Sequence, residues 1–504
     1  MRSGGGPVLG KTSDLFQTEQ LLISTMSCLT VRLTAAMTMK RILLLLFLLV
    51  HAPQLHAGRP NVLFIIVDDL TTTLSCYGNK HVHTPAMDSL AARGVRFDHA
   101  YTQFALCNPS RCSFLTGCYP EKTGVMDLTT SLRKALPDVV TLPQHFKDHG
   151  YTTGRVGKVF HVADPKTKLD VVLGTALHKD TEIFVEAKTA DDPADKPHGT
   201  TKGEGYNRAY AASARPAADF TDYQIADDAI ATLDGFKAKT FFLAVGFIRP
   251  HTPFVAPKAF FEAIDKTQLT LPPFYRAGGE DITHLPQSSV RPNNNVFRYE
   301  APTQEEALNA LQAYLAATSF VDSQIDRVLA RLDELKLTEN TIVLITGDHG
   351  YQLGEHGLWA KQALFEGANH VPLLITAPGL KPGVRAGLAE QVDIYPTLCD
   401  LAGLPKPKHL QGRSLKPVLG DPAAKGRQVA ISTMVATNTK LTGHSVRTDA
   451  FRYIVWDENG GELLYDLRND PDELHNLADQ PAQAERMTRM RERLAAHLKA
   501  VSAP

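Results

Sequence analysis

Three apolar runs, each closing on acidic or imidazole side chains, constrain the fold of this chain more than any other feature. Asn61–Val67 reads NVLFIIV, Phe241–Phe247 reads FFLAVGF and Thr341–Thr346 reads TIVLIT. Continuous runs rich in β-branched and aromatic residues are what strands buried on both faces look like. The first is followed at once by Asp68 and Asp69. The second leads into the Pro-rich loop Arg249-Pro250-His251-Thr252-Pro253, and the third ends in Gly347-Asp348-His349-Gly350. Helical patterns lie between them: Pro85–Arg93 stops at Gly94, and residues 303–337 repeat apolar side chains such as Ala307, Leu311, Leu315 and Phe320. Strands alternating with helices predict an α/β domain whose mostly parallel sheet is covered on both faces. Chemistry in such sheets gathers at the carboxyl ends of the strands. One Asp after a strand is commonly a turn former; three strand ends carrying carboxylates and imidazoles together predict a site.

The character changes after about residue 405. Gly443–Trp456 and Leu463–Leu467 read as strand pieces and Glu485–Lys499 as an amphipathic helix, which predicts a smaller C-terminal α+β subdomain over 406–504. The large domain is expected over 58–405. Residues 1–57 read as a leader: Lys40 and Arg41 precede the apolar run Ile42–Val50, and Ala57 is a small residue suited to cleavage. Nothing of that kind precedes Met37 or Met39, so translation is expected to start at one of them. The run is short for a permanent span, so an exported protein, periplasmic or extracellular, with no stable membrane span is expected. Lys plus Arg total 53 against 54 Asp plus Glu, a formal net charge of -1, which gives no support to a nucleic-acid partner. Of the six cysteines, Cys107, Cys112 and Cys118 crowd together, and removing Cys28 with the leader leaves an odd set. An odd count in an exported chain marks a cysteine with a task other than a disulfide.

Cys107-Asn108-Pro109-Ser110-Arg111, followed by Leu115-Thr116-Gly117, resembles the Cys-x-Pro-Ser-Arg…Thr-Gly pattern of type I sulfatases. The resemblance continues through Gly354-Glu355-His356-Gly357, His370-Val371-Pro372-Leu373 and Gln391-Val392-Asp393. Gly157-Lys158-Val159-Phe160-His161, Asp348-His349 and Gly443-His444-Ser445-Val446-Arg447 are similar to the iduronate-2-sulfatase-like branch. The family implies an alkaline-phosphatase-like fold, with a large mixed, mostly parallel sheet flanked by helices. It also implies that Cys107 is oxidised to formylglycine by a dedicated maturation enzyme.

By the same resemblance Asp68, Asp69, Asp348 and His349, together with residue 107, would hold one divalent metal. Hard oxygen donors favour calcium, with magnesium second. Arg111 would hold the nucleophile, Lys158 would neutralise a sulfate oxygen, and His161 would take the proton that starts sulfate release. His251 and Lys361 would protonate the leaving oxygen. The implied reaction is hydrolysis of a sulfate ester on a carbohydrate, with a uronate 2-O-sulfate suggested by the branch. Two other readings stay open: a phosphate or phosphonate monoester hydrolase of the same superfamily, and a non-catalytic binder of sulfated glycans. Residues 171–215 carry no readable motif.

Overall fold

The computed structural model describes residues 58–161, 183–185, 209–273, 285–290, 296–297, 302–457 and 461–502. The expected leader and most of 171–215 lie outside them. The first ten strands in chain order are β1 (Asn61–Val67), β2 (Val95–Tyr101), β3 (Thr152–Gly157), β4 (Ile183–Val185), β5 (Tyr210–Ser213), β6 (Phe241–Phe247), β7 (Phe254–Pro257), β8 (Thr341–Gly347), β9 (His370–Thr376) and β10 (Gly383–Glu390). Eight of them make one sheet in the order β10-β2-β9-β8-β1-β6-β3-β4, while β5 and β7 pair separately. Every neighbouring pair in the large sheet is parallel except the two made by β9, which runs antiparallel to both β2 and β8. The sheet is therefore mixed and mostly parallel, as the resemblance implied.

Strand β1 shows why these residues form this layer. All seven of its residues are buried. Val62, Phe64 and Ile66 belong to the apolar cluster on one face of the sheet, and Leu63, Ile65 and Val67 to the cluster on the other. A side-chain period of two divides one apolar run between two faces, and each such side chain contributes about 1.5–3 kcal/mol when fully buried. Helices cover both faces. The longer ones are α1 (Pro85–Arg93), α2 (Cys107–Thr116), α3 (Thr221–Phe236), α4 (Gln304–Glu334) and α5 (Ile394–Leu401). Helix α4 matches the 303–337 pattern and starts at a capping box, in which Thr303 and Glu306 satisfy each other's backbone N–H groups. Its middle also anchors α1, because the Asp322 carboxylate accepts the N–H groups of Ala86 and Met87 at 3.0 Å each.

The C-terminal stretch forms an antiparallel sheet of β11 (Ala430–Val435), β12 (Thr442–Arg447), β13 (Phe451–Trp456) and β14 (Glu462–Asp466), packed by helix α6 (Ala484–Val501). It is tied to the segment that follows β2. Thr433 N–H donates to Gln103 O at 2.8 Å, and Ser432 Oγ donates to Thr102 O at 2.6 Å. Among the described residues no disulfide forms. No described helix is long and apolar enough to cross a membrane.

Candidate active site

Strand register builds the site. Val67 lies level with Phe247 of β6 and with Gly347 of β8, so Asp68 and Asp348 leave adjacent strands at the same height. Asp68 N–H donates to Phe247 O and Asp348 N–H to Val67 O, which continues the ladder one step past the strands. Asp69 then turns sharply with φ 60, a left-handed conformation uncommon outside glycine. Tyr314 of α4 holds that turn: its hydroxyl donates to Asp69 O at 2.7 Å and accepts Thr71 N–H at 2.9 Å.

Cys107 opens helix α2, and Arg111 follows four residues later on the same face. The helix begins at Cys107 itself, and this leaves Arg111 beside the thiol's neighbours. Arg111 Nε donates to Asp348 Oδ2 at 2.9 Å and its Nη2 lies 3.4 Å from Asp68 Oδ1. Lys158 follows β3 and pairs with Asp68, and Lys361 Nζ sits 2.7 Å from Asp69 Oδ1. Each of the three buried carboxylates thus has its own cation. The Cys107 sulfur lies among them, 3.4 Å from Asp68 Oδ1, 3.3 Å from His349 Nε2, 3.2 Å from Lys361 Nζ and 3.9 Å from Lys158 Nζ.

The electrostatics follow from this packing. Burial opposes ionisation of Cys107, but Lys158, Lys361 and His349 outweigh it and hold the thiol well below its ordinary range. Burial and the Cys107 sulfur likewise oppose ionisation of Asp68, yet Lys158, His251 and Arg111 keep its carboxyl below the usual range. Burial depresses His349, but Asp348 and Cys107 carry it up to about 9. Burial lowers His161, which faces the Cys107 sulfur. His251 lies in the loop after β6, where its Nδ1 donates to Thr252 O at 2.7 Å and its charge acts on Asp68. The structure thus gathers Asp68, Asp69, Cys107, Arg111, Lys158, His161, Asp348, His349 and Lys361 directly, with His251 at their edge.

The donor set fits a divalent cation. Donor atoms of Asp68, Asp69, Cys107 and His349 all lie within 4.8 Å of one another. Asp69 Oδ2 is buried with no hydrogen-bond partner, an arrangement that is costly unless a cation completes it. His349 Nδ1 donates to Gly350 O at 2.9 Å, which turns Nε2 toward Asp69 and Cys107 as an outer-shell bond does for a ligating imidazole. Asp348 Oδ1 accepts the N–H groups of Asp69 and His349 at 3.0 Å each, and burial still raises its carboxyl to about 7. A cation among these donors would favour the ionised form.

Several supporting residues carried no readable signal. Tyr314 stands in an amphipathic helix, where an aromatic reads as core. Ser110 and Gln391 fall inside the recognised motifs without an assigned task. Ser110 Oγ donates to Asp348 O, and Gln391 Nε2 reaches Thr346 Oγ1 at 3.2 Å, so both fix the end of β8.

Comparison with known proteins places this site in a family. Residues 60–404 match the family described as Sulfatase, and residues 354–500 match the N-sulphoglucosamine sulphohydrolase C-terminal family. Mouse iduronate 2-sulfatase is 32% identical, covering 83% of this chain and 90% of that protein. A structure solved in complex with its substrate D-glucosamine-2-N,6-O-disulfate superposes with a TM-score of 0.73 at 23% identity, covering 88% of this chain and 98% of the other. Phosphonate monoester hydrolase from Silicibacter pomeroyi also superposes at 0.73, with 26% identity over 87% and 95% of the two chains. The chain belongs to the sulfatase family and has its alkaline-phosphatase-like fold. It is a sulfuric ester hydrolase.

Proposed function

We propose that this enzyme removes sulfate from a sulfated carbohydrate, using residue 107 as the nucleophile after oxidation of the Cys107 thiol to a formylglycine aldehyde. One observation carries the reading: the Cys107 sulfur sits inside three buried carboxylate–cation pairs, with two imidazoles beside it. Its Sγ marks the place of the oxygens of a hydrated aldehyde. Such a hydrate supplies two hydroxyls on one carbon, one to attack sulfur and one whose collapse to the aldehyde expels sulfate, so that each half of the reaction is easier than direct hydrolysis. A divalent cation held by Asp68, Asp69, Asp348 and His349, calcium before magnesium, would act as a Lewis acid on sulfate oxygens.

The chain's own residues supply the rest. Lys158 and Lys361 each lie within reach of residue 107 and of a carboxylate, so both can turn a charge toward the oxygens of a sulfate monoester anion. Arg111, fixed by Asp348 and by Val159 O at 3.1 Å, presents a permanent charge beside the nucleophile. His161, kept neutral by burial, is suited to accept the proton that starts release. His251 at the rim of the site, with Lys361, is suited to protonate the leaving sugar oxygen.

The name of the mouse relative and the disulfated glucosamine bound by the structural neighbour support a sulfated carbohydrate, with uronate 2-O-sulfate as the first substrate to try. The leader-like sequence supports export to the periplasm or the outside of the cell, and the nucleophile requires a formylglycine-generating maturation enzyme as partner. The likeness to a phosphonate monoester hydrolase sets the test. Matched aryl sulfate and phosphonate monoesters should be turned over with sulfate strongly preferred, and a panel of sulfated mono- and disaccharides should contain a still better substrate. Preference for the phosphonate would overturn the reading, as would tight binding of sulfated sugars without turnover.

A further inference from the structure

Among the described residues, a second set of metal-type donors lies outside the active site: one ligand atom each from His99, Glu366 and His370, all within 4.8 Å of one another. His99 stands on β2 and His370 at the start of the antiparallel strand β9, which brings their rings to 6.0 Å between centroids. Glu366 belongs to the short turn just before β9.

The hydrogen bonds fix which atoms are available. His370 Nε2 must donate to Asp98 O, 2.7 Å away, because a carbonyl can only accept. With Nε2 so engaged, His370 Nδ1 is the ring atom left facing Glu366 Oε1, 3.5 Å away. That separation is longer than an ordinary N–H···O bond. It is close to the roughly 3.3 Å edge of a tetrahedron whose ligands stand about 2.0–2.1 Å from a zinc ion. His99 Nδ1 is buried and has no hydrogen-bond partner. The bond from His370 Nε2 to a backbone carbonyl is the outer-shell contact that orients ligating histidines.

The surroundings admit a cation. Arg447 and Arg452 both bind Glu366 through Oε2, while Oε1 takes only the Tyr101 hydroxyl at 2.7 Å and faces His370. Glu366 and His370 line a cleft of about 160 Å³ whose other acidic lining is Glu355, Asp472 and Glu473, with no Lys or Arg. Arg452 also pairs with Glu473 at 2.7 Å, so carboxylates hold both arginines beside the site, and two of the three ligands open onto the cleft.

We propose that His99, Glu366 and His370 form a second metal site, for a zinc-type transition ion bound by two imidazoles and one carboxylate, separate from the cation site at Asp68 and Asp69. Two nitrogens and one oxygen select such an ion over calcium. The probe is cobalt(II), whose visible absorption reports coordination, added to calcium-saturated enzyme and then displaced by zinc. One cobalt per chain should bind and give a visible band. His99→Ala and His370→Ala should each weaken it at least tenfold, and His349→Ala should leave it intact. His99→Ala is the decisive variant, since its Nδ1 holds no partner whose loss would unfold the chain. Zinc should also raise the melting temperature of the calcium-saturated wild type and not that of His99→Ala. A band that survives His99→Ala, a band lost in His349→Ala, or the absence of any bound cobalt overturns the proposal. None of these outcomes depends on turnover, so they separate this site from the reaction at residue 107.

Discussion

Arg111 Nε donates to Asp348 Oδ2 at 2.9 Å with both side chains wholly buried. The guanidinium ties the helix that carries Cys107 to the strand end that carries Asp348. Removing one partner leaves the other charge uncompensated, which costs about 3–5 kcal/mol in such settings. Arg111→Ala should therefore lower the denaturation midpoint by an amount of that order, as well as abolish turnover. Arg111→Lys keeps the charge but loses the planar fork; it should recover part of the stability and little of the activity. Urea titrations alongside turnover assays check both, and a fully stable Arg111→Ala would contradict the pairing.

Residue 107 in active enzyme should be an aldehyde. Peptide mass analysis is expected to find CHO in place of CH₂SH on part of the sample, with activity proportional to the converted fraction. Cys107→Ser should be inactive, because a serine has no second hydroxyl on the same carbon with which to release sulfate. Full activity from wholly unconverted thiol would sink the mechanism.

Cation removal should stop turnover, and calcium or magnesium should restore it. Bound cation also stabilises the folded state, by about 2.7 kcal/mol at a hundred times the dissociation constant. Melting temperature thus reads binding without an assay. Asp69→Asn should lose most of that cation-dependent rise. Tyr314→Phe, which frees the Asp69 turn, should keep the rise but require more calcium to reach it. An unchanged calcium titration in Tyr314→Phe would show that the turn needs no such clamp.

The two histidines should separate by leaving group. If His251 protonates the departing oxygen, His251→Ala should slow sugar sulfates by about 10²–10⁴-fold and activated aryl sulfates far less. His161→Ala should instead give a burst of released alcohol followed by a slow steady state. The reverse pattern would exchange their roles.

Asp322 predicts a pH dependence of stability. Burial raises its carboxyl to about 7, against about 3.9 for an unfolded Asp. The unfolded chain ionises first, so this residue's contribution is most favourable below about pH 4, declines up to pH 7 and is constant above. Asp322→Asn removes that decline. The stability of the variant relative to wild type should therefore rise from pH 4 to pH 7, and urea midpoints at several pH values would show it. A difference that falls over this range would refute the assignment.

The parts legible in the sequence are those where one residue type has one strong reason to be present. Asn61–Val67 could only be a doubly covered strand, and the motif from Cys107 to Arg111 carried the family resemblance that implies a nucleophile and its cation. The reversal of β9 was not legible, since His370–Thr376 is nearly as apolar as the parallel strands β1, β6 and β8, and direction is decided by the connection, not the composition. Tyr314 was hidden for a related reason: its ring packs as core while its hydroxyl alone serves the site. His99, Glu366 and His370 each look ordinary, and only the pairing of β9 with β2 makes them neighbours.

The flush ends of β1, β6 and β8 tie folding accuracy to chemistry. A slip of β1 by one residue would exchange its two apolar faces and shift Asp68 by about 3.3 Å along the strand. Asp68 would then stand opposite a different carbonyl, out of line with Asp348, while the backbone ladder stayed largely intact. Such a molecule would carry every catalytic side chain and still have no assembled centre. The alternating Val, Leu, Phe and Ile of β1 therefore act as an alignment gauge. Substitutions that make its two faces more alike in size should yield folded but inactive protein before they yield unfolded protein.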